Sequence, residues 1–245
     1  MKLSLDTALP QGCRVWTFRE GFGNSYPWPG NNPGFEELVF GINGDFTAGR
    51  FPIGITNAIW CFDTVPTAYA GRVQDAFDFA GETKLSLELW YKLSAAGVFY
   101  ALYNTDFIVE CDSIIQVSLP TNAGNIEKLV AGLTPDTAWH HLVVTANLSA
   151  VLGLKIKIYL DGECIDSGNE TGFTTGTAFV DPSNNTEFCR VDAATVNSIL
   201  GEVGSFPGWT ATASDVVRLK SKSLYRIHGL ADFPLRKEFL CGTRF

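Results

Sequence analysis

Two of the chain's three histidines, His140 and His141, are adjacent in the run "AWHHLVVTAN" at positions 138–147. Imidazoles ligate metals and transfer protons, so this pair is the first candidate for chemistry in the sequence. The apolar residues that follow predict a β-strand, in which successive side chains point to opposite faces. We therefore predict that the two imidazoles do not share a site: one is satisfied by a backbone partner, and the other lies at a sheet face.

Acidic residues are the second candidate, because hydrolysis of a glycosidic bond needs two carboxylates that project from one sheet face. Asp75 and Asp78 have the wrong spacing for one face of a strand, as have Glu36 and Glu37. Glu88 stands alone among Leu and Trp residues, and the sequence has no G-x-S-x-G, H-E-x-x-H or phosphate-loop motif. The sequence therefore predicts that the protein is not an enzyme, with a glycoside hydrolase as the less favoured alternative.

A segment rich in amides and acids could supply the oxygen ligands that calcium prefers. Such residues more often cap their own backbone in solvated turns, and they match no specific calcium motif. The sequence therefore predicts no metal and no cofactor, with calcium as the less favoured alternative. The residues concerned are Asp166, Asn169, Glu170, Asp181, Asn184, Asn185 and Glu187.

Three aromatic residues in predicted loops are candidates for carbohydrate binding, because sugar rings stack their C–H faces on aromatic rings. They are Tyr26, Trp28 and Trp209. The first two belong to "GFGNSYPWPGNNPG" (21–34), whose Gly, Asn and Pro content argues against a helix or a central strand. The alternative is that these rings cover the ends of the fold, or that this N-terminal arm packs against a partner subunit.

Composition limits the class of protein. The 245 residues include 24 Gly and 18 Phe but only 18% charged residues, which favours short strands joined by turns. A net charge of −8 without long Lys or Arg runs argues against nucleic acid as the main partner. The N-terminus does not resemble a secretory signal, and no apolar run predicts membrane insertion. We expect a protein made in the cytoplasm, with reduced and buried thiols at Cys13, Cys61, Cys111, Cys164, Cys189 and Cys241.

Period-two patterns predict the strands. In "LSLELWYKL" (85–93), Leu and Tyr alternate with Ser, Glu, Trp and Lys, which indicates a half-buried strand. Further strands are predicted in 97–111, 113–120, "HLVVTANL", "LKIKIYL", "SILGEVG" and "DVVRLKSKSL". Asp161 and Gly162 predict a two-residue hairpin turn, because Gly accepts positive φ without steric cost. No segment has apolar residues that recur convincingly at helical spacing. The sequence therefore predicts an all-β antiparallel sandwich of one structural domain.

The order of these motifs resembles the laminin-G and pentraxin-like jelly roll of the concanavalin A-like lectin/glucanase superfamily, over roughly residues 70–228. The resemblance implies a concanavalin A-like β-sandwich in which the Trp-His-His run is structural, with its Trp in the core beside the hairpin. It also implies a closing strand at "DVVRLKSKSL", although the acidic-aromatic continuation of the family is absent there. The matching residues are Trp90, Lys92, Trp139, His140, His141, Tyr159, Asp161 and Gly162.

The predicted organisation is an irregular N-terminal arm with edge strands over 1–60, the β-sandwich over 61–230 and a tail over 231–245. Two functions follow from it. The favoured one is a non-catalytic structural protein that contacts protein partners or identical subunits in an assembly, such as the surface of a phage virion. That step is an analogy from the fold. The alternative is a lectin or adhesin module that binds surface glycans through Tyr26, Trp28 and Trp209.

Overall fold

The structure is a computed structural model of the 245-residue chain. It describes residues 14–16, 18, 27–28, 38–41, 44–47, 58–61, 67–74, 77–94, 97–165, 169–172, 176–183, 185–192 and 198–228. Within these ranges the protein is a sandwich of two antiparallel sheets, which confirms the predicted fold class.

The nine-stranded sheet contains the longest strands, β7 (Lys84–Leu93) and β17 (Ser198–Pro207), side by side at its centre. Beyond β7 lie β12 (His140–Asn147), β13 (Ile156–Leu160) and β14 (Glu163–Cys164). Beyond β17 lie β1 (Arg14–Trp16) and β2 (Pro27–Trp28). The remaining members are β5 (Ala58–Cys61), which also pairs with β17, and β4 (Gly44–Thr47).

The eight-stranded sheet faces it. In spatial order its strands are β15 (Asn169–Gly172), β11 (Gly124–Ala131), β10 (Ile114–Thr121), β9 (Ile108–Cys111), β8 (Phe99–Tyr103), β16 (Thr186–Val191), β6 (Tyr69–Val73) and β3 (Leu38–Phe40).

The main core lies between the sheets and is lined by the inward residues of both. Its centre is aromatic: Phe77 lies 4.9 Å from Phe107 and 5.8 Å from Trp16 between ring centroids. Fully burying a side chain of this size contributes roughly 1.5–3 kcal/mol. Trp16 and Phe18 are buried in this core, so residues from the predicted N-terminal arm belong to the sandwich itself.

One helix, α1 (Ala213–His228), follows β17 where the sequence predicts the closing strand. That prediction is wrong. The helix begins at a capping box: Thr212 Oγ1 accepts from the Asp215 amide at 3.3 Å, and Asp215 Oδ2 accepts from the Thr212 amide at 3.0 Å. Val216 and Leu219, three residues apart, are both buried. The short alternating pattern in this run fits a strand equally well, and only the caps distinguish the two.

The helix covers the outer face of the nine-stranded sheet. Val216 and Leu219 pack in one buried cluster with Val143, Tyr159 and Phe206. As a consequence β7 is buried on both faces along most of its length, and the predicted half-buried strand is wrong in this respect. The alternation of its side chains is nevertheless as predicted, with Leu85, Leu87, Leu89 and Tyr91 in the main core.

The predicted hairpin turn is confirmed. Asp161 and Gly162 have φ values of 55° and 98°, and they connect β13 to β14 with Leu160 paired to Glu163. Positive φ at both central residues is the type I′ geometry that suits the twist of two-residue hairpins.

The cysteines follow the prediction in part. Cys61, Cys111 and Cys189 are buried thiols, whereas Cys164 is exposed because the two-residue strand β14 lies at a sheet edge. Burial raises the pKa of the Cys111 thiol and that of the Cys189 thiol. Cys13 and Cys241 lie outside the described residues.

Several other predictions fall on residues that the structure does not describe. They concern the tail over 231–245 and the arm over 21–34, except for the pairing of β2 with β1. The proposed division into arm, sandwich and tail stays a prediction. Among the described residues, no helix combines the length and the apolar character needed to cross a membrane.

Candidate functional site

The outer face of the eight-stranded sheet is the sheet face on which described side chains remain accessible. Val39 on β3 is 47% exposed and Leu129 on β11 is 41% exposed, and Arg72 on β6 is exposed between Val39 and the sheet centre. The corresponding face of the nine-stranded sheet is covered by α1. Within the described ranges, no helix packs on the outer face of the eight-stranded sheet, and we take this face as the candidate binding surface.

Two tyrosines and an arginine lie at the centre of this face. Tyr100 lies directly opposite Arg190 of β16, and Tyr103 lies directly opposite Glu187. Directly opposite residues of antiparallel strands share a face. The guanidinium carbon of Arg190 is 3.7 Å from the Tyr103 ring centroid, and the two tyrosine rings are 5.0 Å apart. Both tyrosines are half-buried, which leaves part of each ring open to a ligand.

Arg190 is held by charge as well as by stacking. Its Nη1 donates to Glu187 at 2.9 Å, and its Nη2 lies 3.9 Å from Asp192. Its Nε is buried and has no hydrogen-bond partner among the described residues. We call this surface, made of Tyr100, Tyr103, Glu110, Glu187 and Arg190, the tyrosine–arginine face.

Glu110 completes the tyrosine–arginine face. It lies directly opposite Tyr100 on β8 and Gln116 on β10, and it is only 8% exposed. Burial, followed by the charges of Asp112 and Asp192, raises the pKa of its carboxyl above the ordinary 4.5. Burial and the nearby Glu110 likewise raise the pKa of Tyr100. A carboxylate in this position favours a ligand that donates hydrogen bonds.

The adjacent histidines occupy different environments, and the prediction that they point to opposite faces is confirmed. His140 lies near the main core side with its ring 5.4 Å from that of Tyr91, whereas His141 is buried on the outer face, 4.9 Å from Trp90. The predicted backbone partner is wrong for both imidazoles, because each bonds a carboxylate instead.

His140, at the start of β12, connects the hairpin turn to the loop that precedes the strand. We call its hydrogen bonds with Asp161 and Asp136 the His140 clasp. The Nδ1 of His140 lies 2.7 Å from Asp161 in the hairpin turn, and its Nε2 lies 3.0 Å from Asp136 in the preceding loop. The hydrogen bond with Asp161 is the main reason that the pKa of His140 is raised. Lys220 of α1 donates to the Asp161 carbonyl at 3.1 Å, so the clasp also connects the helix to the turn.

His141 and Glu88 form a buried pair beneath α1. His141 Nε2 lies 2.9 Å from Glu88 Oε1, and both side chains are fully buried. The Nδ1 of His141 is buried without a hydrogen-bond partner among the described residues. Because the pair is enclosed, a substrate cannot reach it, and we assign it a structural role.

Trp139 differs from its expected place. The sequence resemblance implies that it lies in the core beside the hairpin, but it is only partly buried and packs against Ala58 and Trp90 in a small separate cluster. The cause is its position just before β12, where the side chain falls on the outer side of the sheet.

Of the three aromatic residues predicted to bind carbohydrate, Trp209 has a described side chain, and it lies away from the tyrosine–arginine face. Trp209 is half-buried and packs on Phe206 at 5.7 Å between ring centroids, near the start of α1. Trp28 pairs with Val15 at the β1–β2 edge of the nine-stranded sheet. Tyr26 lies outside the described residues. Their role in binding stays a prediction.

Two of the residues weighed as calcium ligands, Asp181 and Glu170, bond backbone amides of the fold instead. Asp181 Oδ1 accepts from the amides of Phe79 and Ala80, and Glu170 accepts from those of Gly153 and Ile156. No group of three or more His, Cys, Asp or Glu that could hold a metal occurs in the described part of the chain. Asp166 and Asn184 lie outside it.

Sequence reasoning missed the tyrosine–arginine face entirely. Tyr100 and Tyr103 occur in "GVFYALYN", where they read as ordinary strand residues, and Arg190 follows almost ninety positions later. The spacing of the two tyrosines was a weak indication of this face. Residues three positions apart in a strand lie on the same sheet face only if a bulge lies between them. The structure has that irregularity between Tyr100 and Leu102.

The fold is similar to that of toxin binding domains. The binding domain of Paraclostridial Mosquitocidal Protein 1 matches with a TM-score of 0.62 at 11% identity, covering 84% of this chain and 51% of that one. The binding domain of botulinum neurotoxin DC, solved with SialylT, matches with a TM-score of 0.59 at 10% identity, covering 86% and 51%. The same domain solved with rat synaptotagmin II matches with a TM-score of 0.57 at 10% identity, covering 86% and 51%.

These likenesses concern the fold, and this chain spans about half the length of those chains. No protein-family model matches the sequence, and no curated protein matches it. The predicted resemblance to the laminin-G and pentraxin-like family is wrong. The similar structures are toxin binding domains, and they give no support to that family.

Proposed function

We propose that this chain is a non-catalytic carbohydrate-binding module whose ligand lies on the tyrosine–arginine face. The observation that carries the proposal is the pair of half-buried rings, Tyr100 and Tyr103, 5.0 Å apart on an accessible sheet face. A sugar ring can stack on such a platform while its hydroxyls bond the polar groups around it. Glu110 and Gln116 supply polar groups on the same face.

The comparisons support the choice of carbohydrate as the ligand class. One of the similar binding domains was solved in complex with SialylT. Two functions were predicted from the sequence, and the similar structures favour the lectin-like module over the virion component. No feature of the described residues supports the virion component. The Glu88 carboxylate on the nine-stranded sheet is enclosed with His141, which is consistent with binding rather than hydrolysis.

The proposal is tested by a glycan array probed with the wild-type chain and with Tyr100→Leu and Tyr103→Leu. Leu keeps an apolar side chain over the sheet but removes the ring. We expect binding that weakens roughly two- to tenfold in each variant, which corresponds to ~0.5–1.5 kcal/mol for an aromatic contact. Val217→Ala, on the exposed side of α1, is the control and should bind as the wild type does.

Two results would overturn the proposal. Absence of binding to any saccharide by the wild-type chain removes the function. Full binding by a folded double variant, Tyr100→Leu with Tyr103→Leu, removes the site. Circular dichroism and thermal unfolding of each variant show whether the sandwich is intact.

A further inference from the structure

We infer that the tyrosine–arginine face binds an uncharged, hydroxyl-rich saccharide and discriminates against saccharides that carry carboxylates. This inference rests on the proposed function and narrows its ligand class. It follows from the charges around the two rings, from the ion pairs of Arg190 beside them, and from the acceptor that Glu110 places on the face.

Negative charge predominates around the rings. Glu110 lies opposite Tyr100, Glu187 lies opposite Tyr103, and Asp192 follows Arg190 by two residues. Asp112, at the end of β9, acts on Glu110 with the same sign. An acidic sugar stacked on Tyr100 would be placed beside these carboxylates, and like charges brought together in this way weaken binding.

The cation at the centre of the face is already occupied. Arg190 donates through Nη1 to Glu187, and its Nη2 lies within ion-pair distance of Asp192. Its Nε is buried and out of reach of an incoming group. Another arginine on this face, Arg72, lies opposite Glu187 on the far side of β16 from the rings. Among the described residues, the cation nearest the two rings is therefore already paired with carboxylates, which weakens its attraction for an anionic sugar.

Glu110 adds a hydrogen-bond acceptor to the face. It is more than nine-tenths buried, between Tyr100 and Gln116. An ionised carboxylate can only accept, so a ligand group that bonds it must be a donor such as a sugar hydroxyl. A carboxylate on the ligand cannot supply that bond.

The experiment measures binding to matched neutral and acidic saccharides by surface plasmon resonance. The neutral set is lactose, maltopentaose, cellopentaose and chitotriose; the acidic set is 3′-sialyllactose and oligogalacturonate. We expect at least one neutral saccharide to bind about tenfold or more tightly than any acidic one, since a like-charge contact opposes binding. The difference should shrink as the salt concentration rises, because salt screens the repulsion.

Two isosteric variants test the cause. Glu110→Gln together with Asp192→Asn removes two of the charges and should reduce the difference in affinity (the gap) between the neutral and acidic saccharides. Glu163→Gln makes the same type of change on the exposed edge strand β14 and should leave the gap unchanged. An unchanged gap in the double variant would overturn the inference.

The remaining outcomes separate the inference from the proposed function. If acidic saccharides bind as tightly as neutral ones through Tyr100 and Tyr103, the inference is wrong and the proposed function stands. If no saccharide binds, or if a lysine-rich peptide alone binds to the wild-type chain, the proposed function is wrong and the inference falls with it.

Discussion

The guanidinium of Arg190 lies over the Tyr103 ring with its central carbon 3.7 Å from the ring centroid, while its Nη1 donates to Glu187. Stacking and ion pairing thus fix the same side chain from two directions. The arginine in turn limits the movement of the Tyr103 ring beside Tyr100. Rigid rings bind with less loss of conformational entropy, so this pair preorganises the tyrosine–arginine face.

The first prediction concerns that pair. A double-mutant cycle of Arg190→Lys and Tyr103→Leu should give a coupling free energy of ~0.5–2 kcal/mol, because Lys lacks the planar group that stacks on the ring. Urea unfolding of the four proteins provides the measurement. Arg218→Lys, at an exposed position on α1, should change stability by less than about 0.5 kcal/mol. A coupling near zero would mean that the stacking does not stabilise the fold.

The second prediction concerns the charge on Glu110. Its pKa in the folded chain is raised above the ordinary 4.5, so the folded chain binds a proton more tightly than the unfolded chain does. Stability should therefore fall as the pH rises from 4.5 through the folded pKa. Glu110→Gln should melt at a higher temperature than the wild type at pH 7.5 and at a similar temperature at pH 4. Lower stability of the variant at pH 7.5 would contradict this.

The third prediction concerns the pair beneath α1. His141→Leu alone should destabilise the chain by about 3–5 kcal/mol, because Glu88 would lose its histidine in a fully buried place. The double variant His141→Leu with Glu88→Leu should be more stable than this single variant, since two apolar residues need no partner. Chemical denaturation gives both free energies of unfolding. A double variant that is less stable than His141→Leu would show that the pair has further essential contacts.

The fourth prediction concerns the pH dependence of the His140 clasp. The pKa of His140 is raised above 6.5, so its stabilisation is complete below pH 6.5 and is lost as the pH rises through the folded pKa. Burial opposes the effect at Asp161, but hydrogen bonds from His140 and the His141 amide lower the pKa of this carboxyl below 3.8. The clasp is therefore fully formed between roughly pH 4 and 6.5.

Thermal unfolding across this range tests the clasp. The difference in melting temperature between wild type and His140→Gln should be largest between pH 4 and 6.5 and should shrink by pH 8.5. A difference that grows toward alkaline pH would have the wrong sign. Glu163→Gln, outside the clasp, should follow the wild-type profile.

The fifth prediction concerns the start of α1. Thr212→Ala removes the hydroxyl that accepts from the Asp215 amide and should cost about 0.5–2 kcal/mol. Thr212→Ser keeps the hydroxyl and should cost much less. Because the helix covers Val143 and Tyr159, the Ala variant should also accelerate hydrogen exchange at their amides. Equal stability of the two variants would show that the cap contributes nothing.

Local patterns in the sequence determined the fold class and the positions of several strands along the chain. The alternation in 85–93 predicted which side of β7 faces the core, and the Asp161–Gly162 pair predicted the hairpin turn. The opposite orientation of His140 and His141 followed from strand geometry alone. Each of these properties depends on residues close together in the chain, where backbone geometry fixes the direction of side chains.

The tertiary structure decided everything that joins distant residues. Glu88 acquired its histidine partner because β12 pairs with β7, and a strand predicted to be half-buried became buried because α1 lies across it. Likewise Tyr100, Glu110 and Arg190 meet only because β8 lies between β9 and β16 in the sheet. Side-chain periodicity gives the face on which a residue lies. Which strand becomes its neighbour depends on the free energy of packing the whole sandwich, which no local pattern contains.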